Sequence, residues 1–421
     1  MFNKYFYTLV IAILFFGKSE AQLTFDEDKN CVISGADGAC ASNTVTSAFP
    51  FMRIIPDARA AGMGDTGIAI SPDMNSVFHN ASNLAFVEGN MSFAATYTPW
   101  LANLNLNDIY LADLTGFKKI DKLQTIGFEL RYFNLGQVPF LDENGIDLGE
   151  GRPREFSIGL AYARKLGSNF SAALGAKYIN SNLAGGIQVM GQLVSAASSF
   201  AADVSFTYRN KTKIGGYNGS WAVGMNLSNL GSKISYIESP VKEFIPTNLG
   251  LGTSLKIEFD DFNTMEFALD FNKLLVPTPI APKIVYTDAD GQRVVDPNPE
   301  YDTNGNGIAD FREKALFSGV FGSFTDAQGG FSEEIKEIAY SFGMEYWYDK
   351  QFAVRAGYYH ESALKGNRQF LTVGAGIKYN VFGIDLSYLK PTNNLLSPLD
   401  NTLRFTLTFD FDKYNADLNE E

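Results

Sequence analysis

The feature that most constrains this chain is a strict two-residue alternation of apolar and polar side chains, sustained over unusually long stretches. Near the C-terminus Leu403, Phe405, Leu407, Phe409 and Phe411 alternate with Arg404, Thr406, Thr408, Asp410 and Asp412. The same pattern runs through Ile126–Tyr132, Met265–Asn272, Ile338–Tyr348 and Leu371–Tyr379. Alternation of this kind specifies a strand with one apolar and one polar face. A strand in a soluble domain averages about 5–6 residues, whereas a tilted membrane-crossing strand needs roughly 9–11. Read throughout, the pattern predicts strands near 91–99, 107–117, 122–135, 154–166, 169–181, 196–209, 219–230, 247–259, 263–274, 335–348, 351–362, 368–380, 382–390 and 402–412. Fourteen is an even number, as a single-chain bacterial barrel requires.

Connection lengths agree. Odd-numbered strands are followed mostly by long segments (136–153, 182–195, 231–246, 275–334, 391–401) and even-numbered ones by tight turns, with 210–218 as an exception. Long outer loops and short periplasmic turns are the outer-membrane pattern, and they put both termini in the periplasm. The fold class expected is therefore all-β: an outer-membrane antiparallel β-barrel of about 14 strands spanning 91–412, with a C-terminal tail at 413–421. Composition is compatible, with 35 Phe, 20 Tyr and 39 Gly at a mean hydropathy of −0.07. Tyr346, Trp347, Tyr348, Tyr358 and Tyr359 read as residues of the interfacial aromatic girdle.

Lys4, an apolar run from Phe6 to Phe16 and the exit Ser19-Glu20-Ala21 have the three-part pattern of a secretory signal peptide over 1–21. The formal charge is −13, and removing Lys4, Lys18 and Glu20 leaves −14. So acidic a chain repels nucleic acid. Cys31 and Cys40, the only cysteines, lie close together after the cleavage point and are expected to pair in an oxidising compartment.

Residues 22–90 precede the first strand and lack its alternation. They are expected to form a compact hatch or plug in or under the lumen, with Gly62, Gly64 and Gly67 permitting close turns. The stretch PFMRIIPDARAAGMGDTGIAISPDMNSVFHNASNLAF, Pro50–Phe86, resembles the N-terminal signature of the PorV (LptO) family, an outer-membrane component of the Bacteroidetes type IX secretion system related to the FadL transporters. The family usually has Trp-Asn-Pro-Ala where this chain has Phe78-His79-Asn80-Ala81-Ser82, which weakens a rigid turn without changing the class. The resemblance implies a shuttle that takes secreted cargo, by its C-terminal β-sandwich signal domain, from a large translocon barrel to a surface attachment complex. The FadL relationship implies an alternative, transport of hydrophobic small molecules. Outer-membrane lipid surrounds the barrel on either reading.

Two features of the 275–334 connection invite a role. Its apolar, proline-rich start, including Leu275, Val276, Pro277 and Ile280, is a candidate partner-docking tip, or else packs on the barrel rim. Further on, Asp302, Asn304, Asn306, Ile308, Asp310 and Glu313 occupy positions one, three, five, seven, nine and twelve of the calcium-loop template, with Gly307 at the sharp turn. Calcium is the only cofactor expected. His79 and His360 are the only histidines and no G-x-S-x-G motif accompanies them, so no enzymatic site is expected.

Overall fold

In the computed structural model the described residues are 44–411 apart from 102–107, 142–146, 185–187, 190–191, 240, 280–282, 288–292, 297–301, 328, 364 and 393–401, together with the short strand segments 24–26, 31–34 and 39–40. The expected signal peptide and C-terminal tail lie outside them. Cys31 and Cys40 fall on neighbouring strands of a small antiparallel sheet, with Ile33 opposite Cys40, but their side chains lie outside the described set.

Fourteen antiparallel strands close into a barrel. In chain order they are β1 Met91–Pro99, β2 Ile109–Lys119, β3 Gln124–Leu135, β4 Arg154–Lys165, β5 Phe170–Asn182, β6 Ala197–Ile214, β7 Tyr217–Gly231, β8 Asn248–Glu258, β9 Asn263–Leu274, β10 Ile338–Tyr348, β11 Phe352–His360, β12 Gln369–Tyr379, β13 Phe382–Pro391 and β14 Leu403–Asp410. Each strand pairs with the next, and β14 pairs with β1 from Phe405↔Tyr97 to Asp410↔Ser92, leaving no edge unpaired. Backbone groups are therefore satisfied within the barrel, as hydrocarbon surroundings demand.

The faces are inside out relative to a soluble protein. On β3, Thr125, Glu129 and Arg131 point inward and are buried, while Ile126, Phe128 and Leu130 point outward and are exposed. On β14 Arg404 and Thr406 are buried and Leu403, Phe405 and Leu407 exposed. Apolar side chains so placed face lipid, and the polar ones face the lumen.

Three sequence expectations need correction. The 210–218 exception disappears: β6 runs to Ile214, and β7 begins at Tyr217 after a turn of Gly215 and Gly216, at φ +57° and +92°. Positive φ at both central positions is the hairpin geometry that glycine supplies at least cost. Residues 335–337 form a 3₁₀ turn before β10, not its first residues. Trp347 and Tyr359 are not girdle residues. Both have the inward register, with Arg355 and Lys378 over the Trp347 ring at 5.5 and 4.9 Å, and Tyr359 stacked on Phe370 at 4.8 Å and only 8% exposed.

Candidate functional site

Of the expected hatch, described residues between Asp57 and Ala85 pack and hydrogen-bond against inward-facing residues of the barrel wall. Asp57 caps the short helix α1 (Ala58–Gly62) by accepting a hydrogen bond from the Ala60 N–H at 2.8 Å. The helix presents Ala58, Ala60, Ala61 and Gly62 to β12–β14, and small side chains are what let two backbones approach. The Ala58 N–H donates to Thr406 Oγ1 and the Gly64 N–H to Thr372 Oγ1, at 2.9 and 2.8 Å. The wall opposite is equally bare: a Cβ on Gly357 would stand 2.1 Å from the Gly64 nitrogen. Gly64 itself has φ +68°, so the turn requires glycine on two counts. The family-like signature thus encodes a seat against the barrel wall.

Arg59 is the one charged residue of α1, and it locks that seat. Its guanidinium donates to both Glu345 oxygens at 2.9 and 2.8 Å, to Asp73 at 2.9 Å and to the Ser71 carbonyl at 2.8 Å, with Glu266 at 3.5 Å. Glu345 is shared with Arg355, which reaches on to Asp385, each at 2.6 Å. Around the rest of the circumference, the Gly67 and Ile68 N–H groups donate to Asp270, Arg209 donates to the Ala69 and Ile70 carbonyls, and Arg131 donates to the Phe51 carbonyl. Apolar contacts complete the fit: Val77, Leu84 and Ala85 pack on Ala94, Ala161, Ala163 and Ala173 of the wall.

Phe78-His79-Asn80-Ala81-Ser82, which begins in the short helix α2 (Ser76–His79), stands where the resembled signature has a proline turn. Asn80 fixes this turn by hydrogen bonds instead: its amide donates to the Ile68 carbonyl and Thr207 Oγ1, and its Oδ1 accepts from Ser82. His79 Nε2 pairs with Asp57 at 2.7 Å, both buried, and Asn226 donates to the His79 carbonyl. Burial works against charge on this imidazole, but the Asp57 bond and charge outweigh it and raise the His79 pKa. Burial likewise opposes ionisation of Asp57, and the His79 bond and charge outweigh it, lowering that pKa. Burial raises Asp65. His360 lies on the outward register of β11 and stacks on Tyr340 at 4.6 Å.

A cavity remains between the lumenal segment and the long-loop end. Its wall mixes Arg53, Lys177, Lys365 and Arg368 with Asp65, Asp270, Glu337 and Glu361, and an apolar part of comparable extent includes Val45, Met52, Ile55, Ile68, Phe78 and Leu274. Lys177 pairs with Asp203 at 2.8 Å and Glu129 at 3.2 Å. Arg368 donates to both Glu361 oxygens, at 2.8 and 3.0 Å. Buried Asp65 Oδ1 and Asp270 Oδ1 have no protein hydrogen-bond partner. Charged groups and apolar side chains thus share the wall, so a purely apolar ligand would meet buried charges there.

The long connection between β9 and β10 folds over this end. Leu275 and Val276 are each 3% exposed, Val276 clustering with Val45, Phe244 and Leu274. With Pro277 also buried, these three are rim packing and not an open tip; Ile280 lies outside the described residues. What the connection does expose is aromatic: Phe317 and Phe321 on helix α4 (Leu316–Gly322), then Phe324, then Phe331 on α5 (Phe331–Glu334), followed by Ile335. Spacings of four residues were the signal available for both pairs.

Between them and the start of the loop, residues 302–313 form a turn held by Asp302 and Glu313, and no three acidic side chains converge there among the described residues. The Asp302 carboxylate accepts from the Gly305, Asn306 and Gly307 N–H groups, at 2.8, 3.2 and 2.7 Å. Gly305 and Gly307 have φ +70° and +80°. Asn304 and Asn306 converge on Glu313, each donating at 2.8 and 2.7 Å, and α3 (Asp310–Glu313) begins at position nine.

The family model for the type IX secretion system protein PorV matches residues 38–281, more than half of the chain. The chain belongs to the PorV family. It is an outer-membrane barrel of the type IX secretion context, and the matched span includes the whole lumenal segment and β1–β9. No curated protein matches the sequence. Among solved structures, the chain is similar to the Pseudomonas putida toluene transporter TodX (11% identity, TM-score 0.47, covering 84% of this chain and 96% of that one). Others are the Ralstonia pickettii toluene transporter TbuX (10%, 0.45, 83% and 95%) and a Pseudomonas aeruginosa FadL homologue (9%, 0.38, 88% and 99%).

Proposed function

We propose that this protein is the outer-membrane shuttle of a type IX secretion system: it takes cargo by the C-terminal signal domain at the translocon and delivers it to the surface attachment machinery. Membership of the PorV family is the observation that carries this reading. The lumen supports it over the transporter alternative. A pathway for hydrophobic molecules needs a continuous apolar route, and here ion pairs interrupt the apolar lining of the cavity while Arg59 and its carboxylates tie the lumenal segment to the wall. Recognition then belongs to the long connections, on what is the extracellular side if both termini are periplasmic. No catalytic step is needed. A mild-detergent pull-down of the tagged protein from its native outer membrane tests the assignment. Recovery of a very large barrel and of cargo carrying C-terminal β-sandwich domains supports it; recovery of the protein alone with bound fatty acid favours transport.

Calcium in the 302–313 loop is a second part of the proposal. Asp302, Asn304, Asn306, Asp310 and Glu313 would supply side-chain oxygens and Ile308 its carbonyl, after the two asparagine amides turn their oxygens toward the ion. Its effect would be to stiffen the connection, with an affinity on the order of 10⁻⁴–10⁻³ M as in extracellular modules.

A further inference from the structure

The connection between β9 and β10 has the wrong polarity for a loop in water. On α4 the side toward the protein holds Leu316, Gly319 and Val320, with Leu316 on the Val45–Phe244–Leu274–Val276 cluster and Gly319 up against Phe244 and Pro277. Phe317 and Phe321 point away from it, 60% and 71% exposed. On α5 and the turn after it, Glu334 and Glu337 are buried while Phe331 and Ile335 are 79% and 51% exposed. A helix bounded by water buries its apolar stripe and exposes its charges. The α5 turn does the opposite, and α4 leaves two phenylalanines exposed beyond the apolar side it buries.

Lys273 identifies the side of the barrel concerned. On β9 Glu266, Asp270 and Asn272 point inward, and Phe267, Leu269 and Phe271 outward. Lys273 follows the outward set and stands opposite Ile338 of β10. It is nevertheless only 7% exposed, because Glu334 and Glu337 close on its ammonium at 3.0 and 2.6 Å. The α5 turn therefore caps the rim above β9 and β10, with Glu337 turned in toward Lys365 and the cavity and Ile335 exposed on the side away from it. Directly along the same wall lie Phe271, Tyr340 and Phe342, exposed on the face that meets lipid.

We propose that α4 and the α5 turn form a lipid-seated overhang, with Phe317, Phe321, Phe324, Phe331 and Ile335 entering the boundary layer of the outer leaflet beside β9 and β10. Continuity with the lipid-facing wall fixes the occupant as lipid. Taking roughly 200 Å² per large side chain, the five expose about 600 Å², as much as the largest patch a soluble monomer carries. None brings a hydrogen-bonding group that would be stranded among acyl chains. Lys336, exposed next to Ile335, has the reach to meet a lipid phosphate. The turned-in glutamates fit the same arrangement, since carboxylates directed at hydrocarbon would be far costlier than carboxylates paired with Lys273. The overhang rests on the barrel being in the outer membrane and not on the cargo role, so a preparation that binds no cargo still reports on it.

The test uses the full-length protein in phosphatidylcholine–phosphatidylglycerol vesicles, with and without phosphatidylcholine brominated near the top of its acyl chains. Phe331→Trp and Phe321→Trp are each compared with the parent, which has three tryptophans. Emission added by the new tryptophan should be largely quenched by the brominated lipid and barely touched by acrylamide in the water. Thr325→Trp, on an exposed polar position of the same connection, should behave the other way. If the added emission at 321 and 331 is quenched by acrylamide and indifferent to brominated lipid, the overhang is not lipid-seated, and the face is left open to a protein partner. Folding is read for each variant from heat-modifiable migration. Should Phe331→Trp fail that check, Phe317→Trp reports on the same face.

Discussion

Removing Arg59 should loosen the lumenal segment without opening the barrel. The guanidinium is held by Glu345 through two bonds of 2.8 and 2.9 Å and by Asp73 at 2.9 Å, with its side chain 10% exposed and that of Glu345 1%. Arg59→Ala leaves Glu345 with Arg355 alone and leaves Glu266 and Asp73 without their shared cation. Breaking a buried pair by deleting one partner costs about 3–5 kcal/mol. The strand ladders that close the barrel are untouched by the change, so the loss falls on opening of the segment against the wall. At about 1.4 kcal/mol per tenfold, amide hydrogen exchange between residues 57 and 71 should accelerate by roughly two to nearly four orders of magnitude. Amides of β3–β6 should keep their parental rates. Arg59→Lys should recover part of the loss, because a point charge meets one carboxylate but cannot bridge as the planar fork does. Exchange by mass spectrometry in detergent micelles reads all three proteins. Equal acceleration in segment and strands, or none in either, would refute the argument that this ion-pair network is the lock.

Other consequences are open to measurement. Gly64→Ala puts a Cβ 2.6 Å from the Tyr358 nitrogen at a positive φ, so it should destabilise the seat by about 1–3 kcal/mol and expose residues 57–70 to limited proteolysis. The His79–Asp57 pair gives a pH window. The raised His79 pKa makes its contribution complete below about 6.5 and lost as pH rises through the folded value; the lowered Asp57 pKa makes its contribution complete above about 4 and lost in stronger acid. Protection of the segment should therefore be greatest between about pH 4 and 6.5, and His79→Gln should flatten its alkaline side. Titration calorimetry should show calcium binding that Asp302→Ala and Glu313→Ala abolish; unchanged heats would remove calcium from the account. The barrel should also migrate differently with and without heating on detergent gels, and a helical circular-dichroism spectrum would contradict the fold.

The barrel was legible in the sequence because lipid outside and polar lumen inside impose the same alternation on every strand, and each strand carries that signal by itself. Where side chains ignore the rule, reading them needs parity as well as type. Trp347 and Tyr359 look like girdle aromatics, yet Trp347 shares its register with inward Glu345, and Tyr359 with inward Arg355. Lys211, Thr212 and Lys213 resemble a loop because both faces of that hairpin are exposed at its tip. The lumenal segment was visible only as a stretch without alternation and by its family-like motif. Its fit depends on partners far away in sequence: Arg59 meets Glu345 and Gly64 meets Gly357, with no local pattern to announce either. Leu275 and Val276 read equally as a docking tip or as rim packing, since nothing in their neighbourhood shows that Val45 and Phe244 will cover them.

Cargo recognition is tested most directly by binding of an isolated C-terminal signal domain from type IX cargo to the purified full-length protein in micelles. Saturable one-to-one binding is expected, weakened by trimming the described long connections and unaffected by added fatty acid. A signal domain that does not bind, alongside saturable uptake of a hydrophobic small molecule, would contradict it and leave the transporter reading in its place.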